Sequence, residues 1–177
     1  MSSTIHRPGD NEYAPFYAGY IQQVPEGDIF EILARQSDAL RRLLAALPAH
    51  QADFRPGPAE WSIKEVVGHI NDVERVFAYR ALRISRGDQT PLPGFEQDDY
   101  VRTAHFGDRT LLDLLEEFDL LRRANLLTFR GLSEEASLRQ GTVSGSTVSA
   151  RALLYMLAGH VEHHRASLQQ DYLAQLA

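Results

Sequence analysis

Apolar residues recur every three or four positions in four long segments, the spacing that places side chains on one face of an α-helix. These segments are 26–47, 62–86, 109–131 and 147–175. No credible strand is found between them. The pattern therefore predicts an all-α protein with four amphipathic helices, for which a four-helix bundle is the default architecture.

Signals at the predicted helix ends support these boundaries. Ser62 and Glu65 have the spacing of a capping box, which starts a helix by binding its first free N–H groups. Gly87 follows the last apolar position, where glycine commonly ends a helix. Pro48 stops the first helix, and we expect Asp108 to cap the third.

The connection 88–108 is proline- and glycine-bearing and is too long for a hairpin between antiparallel helices, which usually takes about 2–8 residues. We expect it to cross from one end of the bundle to the other, so that the second and third helices run parallel. The predicted topology is up-down-down-up. Prolines and aromatic residues alternate in 1–25, which we expect to be an N-terminal extended segment packing on the bundle domain 26–177.

Composition narrows the possible partners. The chain has 177 residues, a formal net charge of −6 and no cysteine, so a metal site must use nitrogen and oxygen ligands. No run of Lys and Arg is suited to a phosphate backbone, which argues against nucleic acid. Neither a signal-peptide-like stretch at Met1–Asp10 nor a span of about 18 apolar residues is present. We therefore expect a cytoplasmic protein without a membrane partner.

The candidate chemistry lies in the histidines. His160 and His164 are four residues apart on the fourth helix and share a face. On a helical wheel His164 lies about 40° and His160 about 75° from the apolar direction, whereas His163 lies about 140° away and should face solvent. His69 flanks the apolar stripe of the second helix at about 80°.

If the second and fourth helices run antiparallel, the depths of His69 and His164 agree to within roughly 5 Å. Three imidazoles then converge and leave coordination positions open, which is typical of a catalytic His₃ site. The alternative is structural, because an inward histidine is more often a hydrogen-bonded core residue and one i, i+4 pair is a weak motif.

Arg122 and Asn125 lie on the apolar face of the third helix, within about 40° of its mean direction. A buried arginine needs partners. As catalytic residues, they would receive the carboxylate of a substrate or of a low-molecular-weight thiol. Alternatively, Arg122 forms a salt bridge with a core-facing acid such as Glu74 or Asp171.

Three further residues lie near the histidines in sequence. Asp72 and Glu162 are within about a turn of the candidate ligands, and either carboxylate is a candidate to orient an imidazole, although the wheel places Glu162 outward. Trp61 precedes the capping box, and we interpret it as a structural residue that packs the helix start rather than as a ligand platform.

Two runs that contain these histidines resemble a known family. Trp61-Ser-Ile-Lys-Glu-Val-Val-Gly-His69, followed by Ile-Asn-Asp-Val-Glu-Arg, is similar to the second helix of the DinB/YfiT-like superfamily, and Ala158-Gly-His160-Val-Glu-His-His164 is similar to its C-terminal helix. Leu92-Pro-Gly-Phe-Glu-Gln-Asp-Asp-Tyr100 resembles its long loop. The similarity extends over the chain from Tyr17 onward.

The resemblance implies an up-down-down-up bundle with one divalent metal ion on three histidines, here His69, His160 and His164. It implies a metal-dependent enzyme that activates a thiol or a water molecule, either a thiol-S-transferase using a low-molecular-weight thiol or a hydrolase. The alternative is a non-catalytic metal-binding stress-response bundle that acts through a protein partner. Imidazole ligands suit zinc, nickel or iron. We expect a small-molecule substrate and, from the off-stripe Leu120 and Leu127, a homodimer.

Overall fold

The computed structural model describes residues 5–176. Its four longest helices correspond to the four predicted ones, and shorter elements lie in the connections. The helices are α1 (Ala18–Gln23), α2 (Ile29–Leu44), α3 (Ile63–Ser85), α4 (Gln97–Ala104), α5 (Leu111–Phe129), α6 (Glu134–Leu138) and α7 (Ala150–Ser167), and the strands are β1 (Gln140–Val143) and β2 (Ser146–Ser149).

The helix ends follow the predicted signals with one exception. Ser62 Oγ accepts a hydrogen bond from the Glu65 N–H, and the Glu65 carboxylate accepts one from the Ser62 N–H, which confirms the capping box. Gly87 follows the end of α3 with a φ of 82°. The prediction that Asp108 caps the third helix is wrong: Asp108 lies in a preceding 3₁₀ turn, and Thr110 caps α5.

The bundle places α2 and α3 diagonally, because each packs against both α5 and α7. Asn71 donates to the Leu114 carbonyl and Glu74 binds Arg122 further along both helices, so α3 and α5 run parallel. Arg122 also donates to the Leu33 carbonyl, while Arg130 lies near the earlier Glu31, so α2 and α5 are antiparallel.

The direction of α7 follows from its contacts with the two ends of α3. His69 lies beside His164, whereas the Ser85 carbonyl accepts a hydrogen bond from Arg139, which precedes α7. Helices α3 and α7 are therefore antiparallel, and the bundle runs up-down-down-up in the order α2, α3, α5, α7. This arrangement confirms the four-helix bundle and the crossing role of 88–108, which contains α4.

The prediction of an all-α protein is wrong in one place. Strands β1 and β2 form an antiparallel hairpin around Ser144 and Gly145, both with positive φ, 50° and 79°. The crossover joins this hairpin at Leu92, whose N–H donates to the Thr142 carbonyl and whose carbonyl accepts from the Ser144 N–H. The strands have only four residues each, too few for an alternating pattern to stand out.

The N-terminal segment, predicted to be extended, contains two 3₁₀ turns and α1, and α1 packs on α7. The last predicted helix is shorter than expected, because α7 ends at Ser167 and a π-turn follows over Leu168–Tyr172. No helix within residues 5–176 has the length and apolar character needed to cross a membrane. Leu120 and Leu127 are exposed, and the homodimer proposed from them stays a prediction.

Candidate metal centre

Three imidazoles meet between α3 and α7. His69 Nε2 lies 3.0 Å from His160 Nε2, and His164 Nε2 lies 3.1 Å from the same atom. A candidate ligand atom from each of the three residues lies within 4.8 Å of the other two. The predicted convergence is therefore confirmed. His163 is exposed and does not belong to this cluster, as its position on the wheel predicted.

The two Nε2–Nε2 separations, 3.0 and 3.1 Å, are short enough for ligands of a single metal ion. Nitrogen ligands bind zinc at about 2.0–2.1 Å, so two nitrogens on one ion are at most about 4.2 Å apart. Hydrogen bonding alone satisfies the cluster less well. His160 Nε2 faces two imidazole nitrogens but carries either one hydrogen or one lone pair, so it can pair well with only one of them.

The histidines are also in the protonation state that binds metal. Burial, reinforced by the neighbouring histidines, lowers the pKa of His69 to about 4 and that of His164 to about 3. Burial likewise lowers the pKa of His160 well below its usual range. All three imidazoles are thus neutral at neutral pH and have a lone pair available for a metal ion.

Aromatic rings pack against two of the three histidines. The Trp61 ring lies 4.8 Å from the His69 ring, and Tyr20 and Phe77 lie 5.6 and 6.3 Å from His160. Trp61 precedes the start of α3, as predicted, but its contact with His69 gives it a place in the site that sequence reasoning did not assign. The rings limit the directions from which a small molecule can approach.

Two clefts border the cluster. One, of about 290 Å³, is bordered by His164. The other, of about 330 Å³, is bordered by His160. Asp98, near the start of α4, lines both clefts. The first cleft is also lined by Ala59, Glu60, Trp61, Val66, His163, Ser167 and Tyr172, and the second by Phe16, Tyr17, Tyr20, Val73, Phe77, Phe95, Glu96 and Gln97.

Arg122 and Asn125, the predicted catalytic residues, lie away from both clefts. The Arg122 guanidinium binds both carboxylate oxygens of Glu74, at 2.9 and 2.8 Å, and both side chains are 1% exposed. It also donates to Leu33 and Gln36, while Asn125 Nδ2 donates to Glu74. This arrangement matches the structural alternative for Arg122, with Glu74 as the partner.

The two carboxylates considered for orienting an imidazole have other surroundings. Glu162 accepts hydrogen bonds from Gln36 and Arg165. No hydrogen bond joins Asp72 to a histidine within residues 5–176. The Gln36 side chain, which also donates to the Ala158 carbonyl, links the Arg122 pair to α7 just before His160.

Sequence reasoning did not assign to the site the residues that line the neighbouring clefts, above all Tyr20, Phe95 and Asp98. They come from the N-terminal segment and the crossover, which have no long hydrophobic period. The prolines and aromatic residues of 1–25 did predict that this segment packs on the bundle, but not that Tyr20 contacts His160.

Fold and site together define a bundle with a histidine cluster between its second and fourth long helices. The chain belongs to the DinB superfamily, whose family model matches residues 32–168. No curated protein matches the chain significantly.

A solved structure supports the same fold. YfiT from Bacillus subtilis, described as a probable metal-dependent hydrolase with an unusual four-helix bundle topology, matches with a TM-score of 0.70. The match covers 97% of this chain and 94% of YfiT at 15% identity. At that identity the likeness concerns the fold.

Proposed function

We propose that this protein is a metal-dependent hydrolase in which His69, His160 and His164 hold one divalent ion, zinc, nickel or iron. The observation that carries the proposal is the convergence of three neutral imidazole nitrogens at a point bordered by two clefts. The description of YfiT as a probable metal-dependent hydrolase supports the same reaction class.

A divalent ion held by three imidazoles supplies a Lewis acid and brings the pKa of a bound water towards neutrality. The residues of this chain would position that chemistry. Trp61 packs against the His69 ring and Tyr20 against the His160 ring, which restrains both ligands and limits access of bulk water. His164, which is only partly buried, faces the cleft through which a small molecule can approach.

Two alternatives use the same cluster. In a non-catalytic metal-binding bundle that acts through a protein partner, we would expect the histidines to be sealed under apolar side chains. Here two open clefts border them, and polar residues such as Asp98 form part of each lining. A thiol-S-transferase would use a low-molecular-weight thiol in place of water. The chain has no cysteine, so the thiol would have to be a cosubstrate.

The test begins with metal content. The purified protein is stripped with a chelator, reloaded with zinc, nickel or iron, and assayed with panels of carboxylic esters and amides in the presence and absence of bacterial thiols. We expect one ion per chain and metal-dependent hydrolysis that incorporates ¹⁸O from labelled water. His69→Ala should lose both, and His163→Ala should keep the metal.

Other results would redirect the assignment. Turnover that requires a thiol and yields a thiol adduct would identify the transferase. Binding of one ion without turnover on any panel would favour the non-catalytic bundle. Failure to take up metal would reject the proposal at its first step.

A further inference from the structure

We propose that the cleft beside His160 binds a positively charged organic group, an amine or a quaternary ammonium, of the substrate. We call it the aromatic cleft; its lining is Phe16, Tyr17, Tyr20, Val73, Phe77, Phe95, Glu96, Gln97, Asp98 and His160. The inference rests on the proposed hydrolase and deepens it by giving the chemical class of the substrate.

The wall of this cleft is a connected set of aromatic rings. Tyr17 contacts Phe77 edge-on at 6.0 Å, and Phe16 contacts Tyr17 at 5.1 Å. Tyr20 continues the wall to His160. Phe16 is 78% exposed although it belongs to this ring cluster, so its ring is available to a ligand. The faces of aromatic rings carry partial negative charge and attract cations, most clearly quaternary ammonium groups.

Charge at the rim favours the same ligand. Glu96 and Asp98 are exposed carboxylates that line the cleft, and its lining contains neither Lys nor Arg. Arg80, a neighbouring cation, is 3% exposed, donates to the Pro93 carbonyl and lies 5.7 Å from the centres of both the Phe77 and Phe95 rings. Two rings of the wall therefore already interact with one cation inside the protein. An anionic ligand would instead meet two carboxylates.

Specific contacts of the backbone hold both sides of the cleft. On one side, α1 sits against α7 so closely that a Cβ at Gly159 would lie 2.0 Å from the Tyr20 carbonyl oxygen. On the other, the segment that leads to Phe95 is fixed to the hairpin through Leu92. Since His160 forms part of the lining, a cation bound here would place the rest of the substrate next to the histidine cluster.

The test compares three probes that share a benzyl group and differ in charge: benzyltrimethylammonium, benzyl alcohol and phenylacetate. Binding to the metal-free and the zinc-loaded protein is measured by calorimetry. We expect the ammonium to bind most tightly and phenylacetate most weakly. Glu96→Gln/Asp98→Asn should weaken ammonium binding about three- to tenfold, and Phe16→Ala about two- to fivefold.

The matched control is Asp113→Asn/Glu116→Gln, which removes two exposed carboxylates from α5 and should leave ammonium binding unchanged. Benzyl alcohol or phenylacetate binding as tightly as the ammonium would overturn the inference, and this comparison needs no variant. Ammonium selectivity in the metal-free protein, combined with no metal uptake, would reject the hydrolase alone. Metal uptake without ammonium selectivity would reject the cleft alone.

Discussion

Gly159 and Tyr20 are in direct backbone contact, because a Cβ added to Gly159 would lie 2.0 Å from the Tyr20 carbonyl oxygen and 2.4 Å from its carbonyl carbon. The N-terminal helix α1 can therefore sit on α7 only because this position has no side chain. Gly159 directly precedes the candidate ligand His160, so the docking of the N-terminal segment and the histidine cluster depend on the same turn of α7.

Gly159→Ala should separate α1 from α7 and lower the free energy of unfolding by about 1–3 kcal/mol, the usual cost of overpacking. It should also weaken ligand binding in the aromatic cleft, since Tyr20 would move. Urea unfolding measures the first effect. Gly19→Ala is the control: a Cβ there meets nothing within 4 Å, and alanine is favoured in a helix, so stability should stay the same or rise. Equal stability of the Gly159 variant and wild type would contradict the contact.

Metal should stabilise the folded protein through the histidine cluster. An ion that binds only the native state adds about 2.7 kcal/mol at a hundredfold excess over its dissociation constant, which for a domain of this size is a rise in Tm of roughly 5–11 °C. Alanine at His69, His160 or His164 should abolish the rise, whereas His163→Ala should keep it. A chelator should reverse it in the wild type.

Tryptophan emission gives a second measure of metal binding. Trp61 is the only tryptophan, and its ring lies 4.8 Å from His69. As metal is added, the Trp61 emission should change, and the metal concentration at half of this change should match that at half of the rise in Tm. Loss of metal binding in His163→Ala, with binding kept in the His69, His160 and His164 variants, would show that the ligands are wrongly assigned.

The Arg122 pair should be structural. Arg122→Met leaves the Glu74 carboxylate buried without its charged partner, which typically costs about 3–5 kcal/mol. Glu74→Leu/Arg122→Met removes both charges and should recover most of the loss. Arg123→Met, at a side chain that is 72% exposed, should change stability by less than about 0.5 kcal/mol. A folded double variant that has lost all hydrolysis would instead support a catalytic role for Arg122.

Stability in acid should depend on Glu12. Burial raises the pKa of this carboxyl, but hydrogen bonds from Arg151 and from the Gly9 N–H outweigh that effect and lower the pKa from 4.5 to about 2. A lowered folded-state pKa stabilises the fold above the unfolded value, and the contribution is lost as the pH falls from about 4.5 towards 2. At neutral pH it amounts to at most about 3 kcal/mol.

Glu12→Gln should therefore unfold more easily than wild type at pH 7, and the difference should shrink steadily below pH 4.5. Denaturant unfolding at a series of pH values measures it. Glu26→Gln, whose side chain is 95% exposed in its pair with Arg7, should show no comparable effect. A difference that is constant with pH would mean that the charge of Glu12 does not contribute.

The helices and the histidine triad could be predicted because both follow from one helical period. An apolar stripe fixes the inward direction of a helix, and the same wheel then separates His160 and His164 from His163. The length of the crossover added the antiparallel relation that brings His69 to them. The helical period and the length of the crossover were therefore sufficient to predict the three candidate ligands.

The hairpin, the position of Tyr20 and the aromatic cleft depend on tertiary contacts, which leave no periodic pattern in the sequence. The hairpin had a local signal in Ser144-Gly145, a turn dipeptide. Its strands, however, are only four residues long, and hydrogen bonds to Leu92 of the crossover hold them in part. The position of Tyr20 depends on a close approach at Gly159, and no pattern within either segment reveals it. The aromatic cleft could be recognised only once both segments were in place.

The hydrogen bond from Gln36 to the Ala158 carbonyl joins residues 122 positions apart, across the neighbouring and parallel helices α2 and α7. A ribosome that adds about 5–20 residues per second completes that stretch only after several seconds. During this time α2 and α3, which are diagonal in the finished bundle, have no α7 to pack on. The faces of α2 and α3 that pack on α7 in the finished bundle are therefore left uncovered until the last long helix has been synthesised.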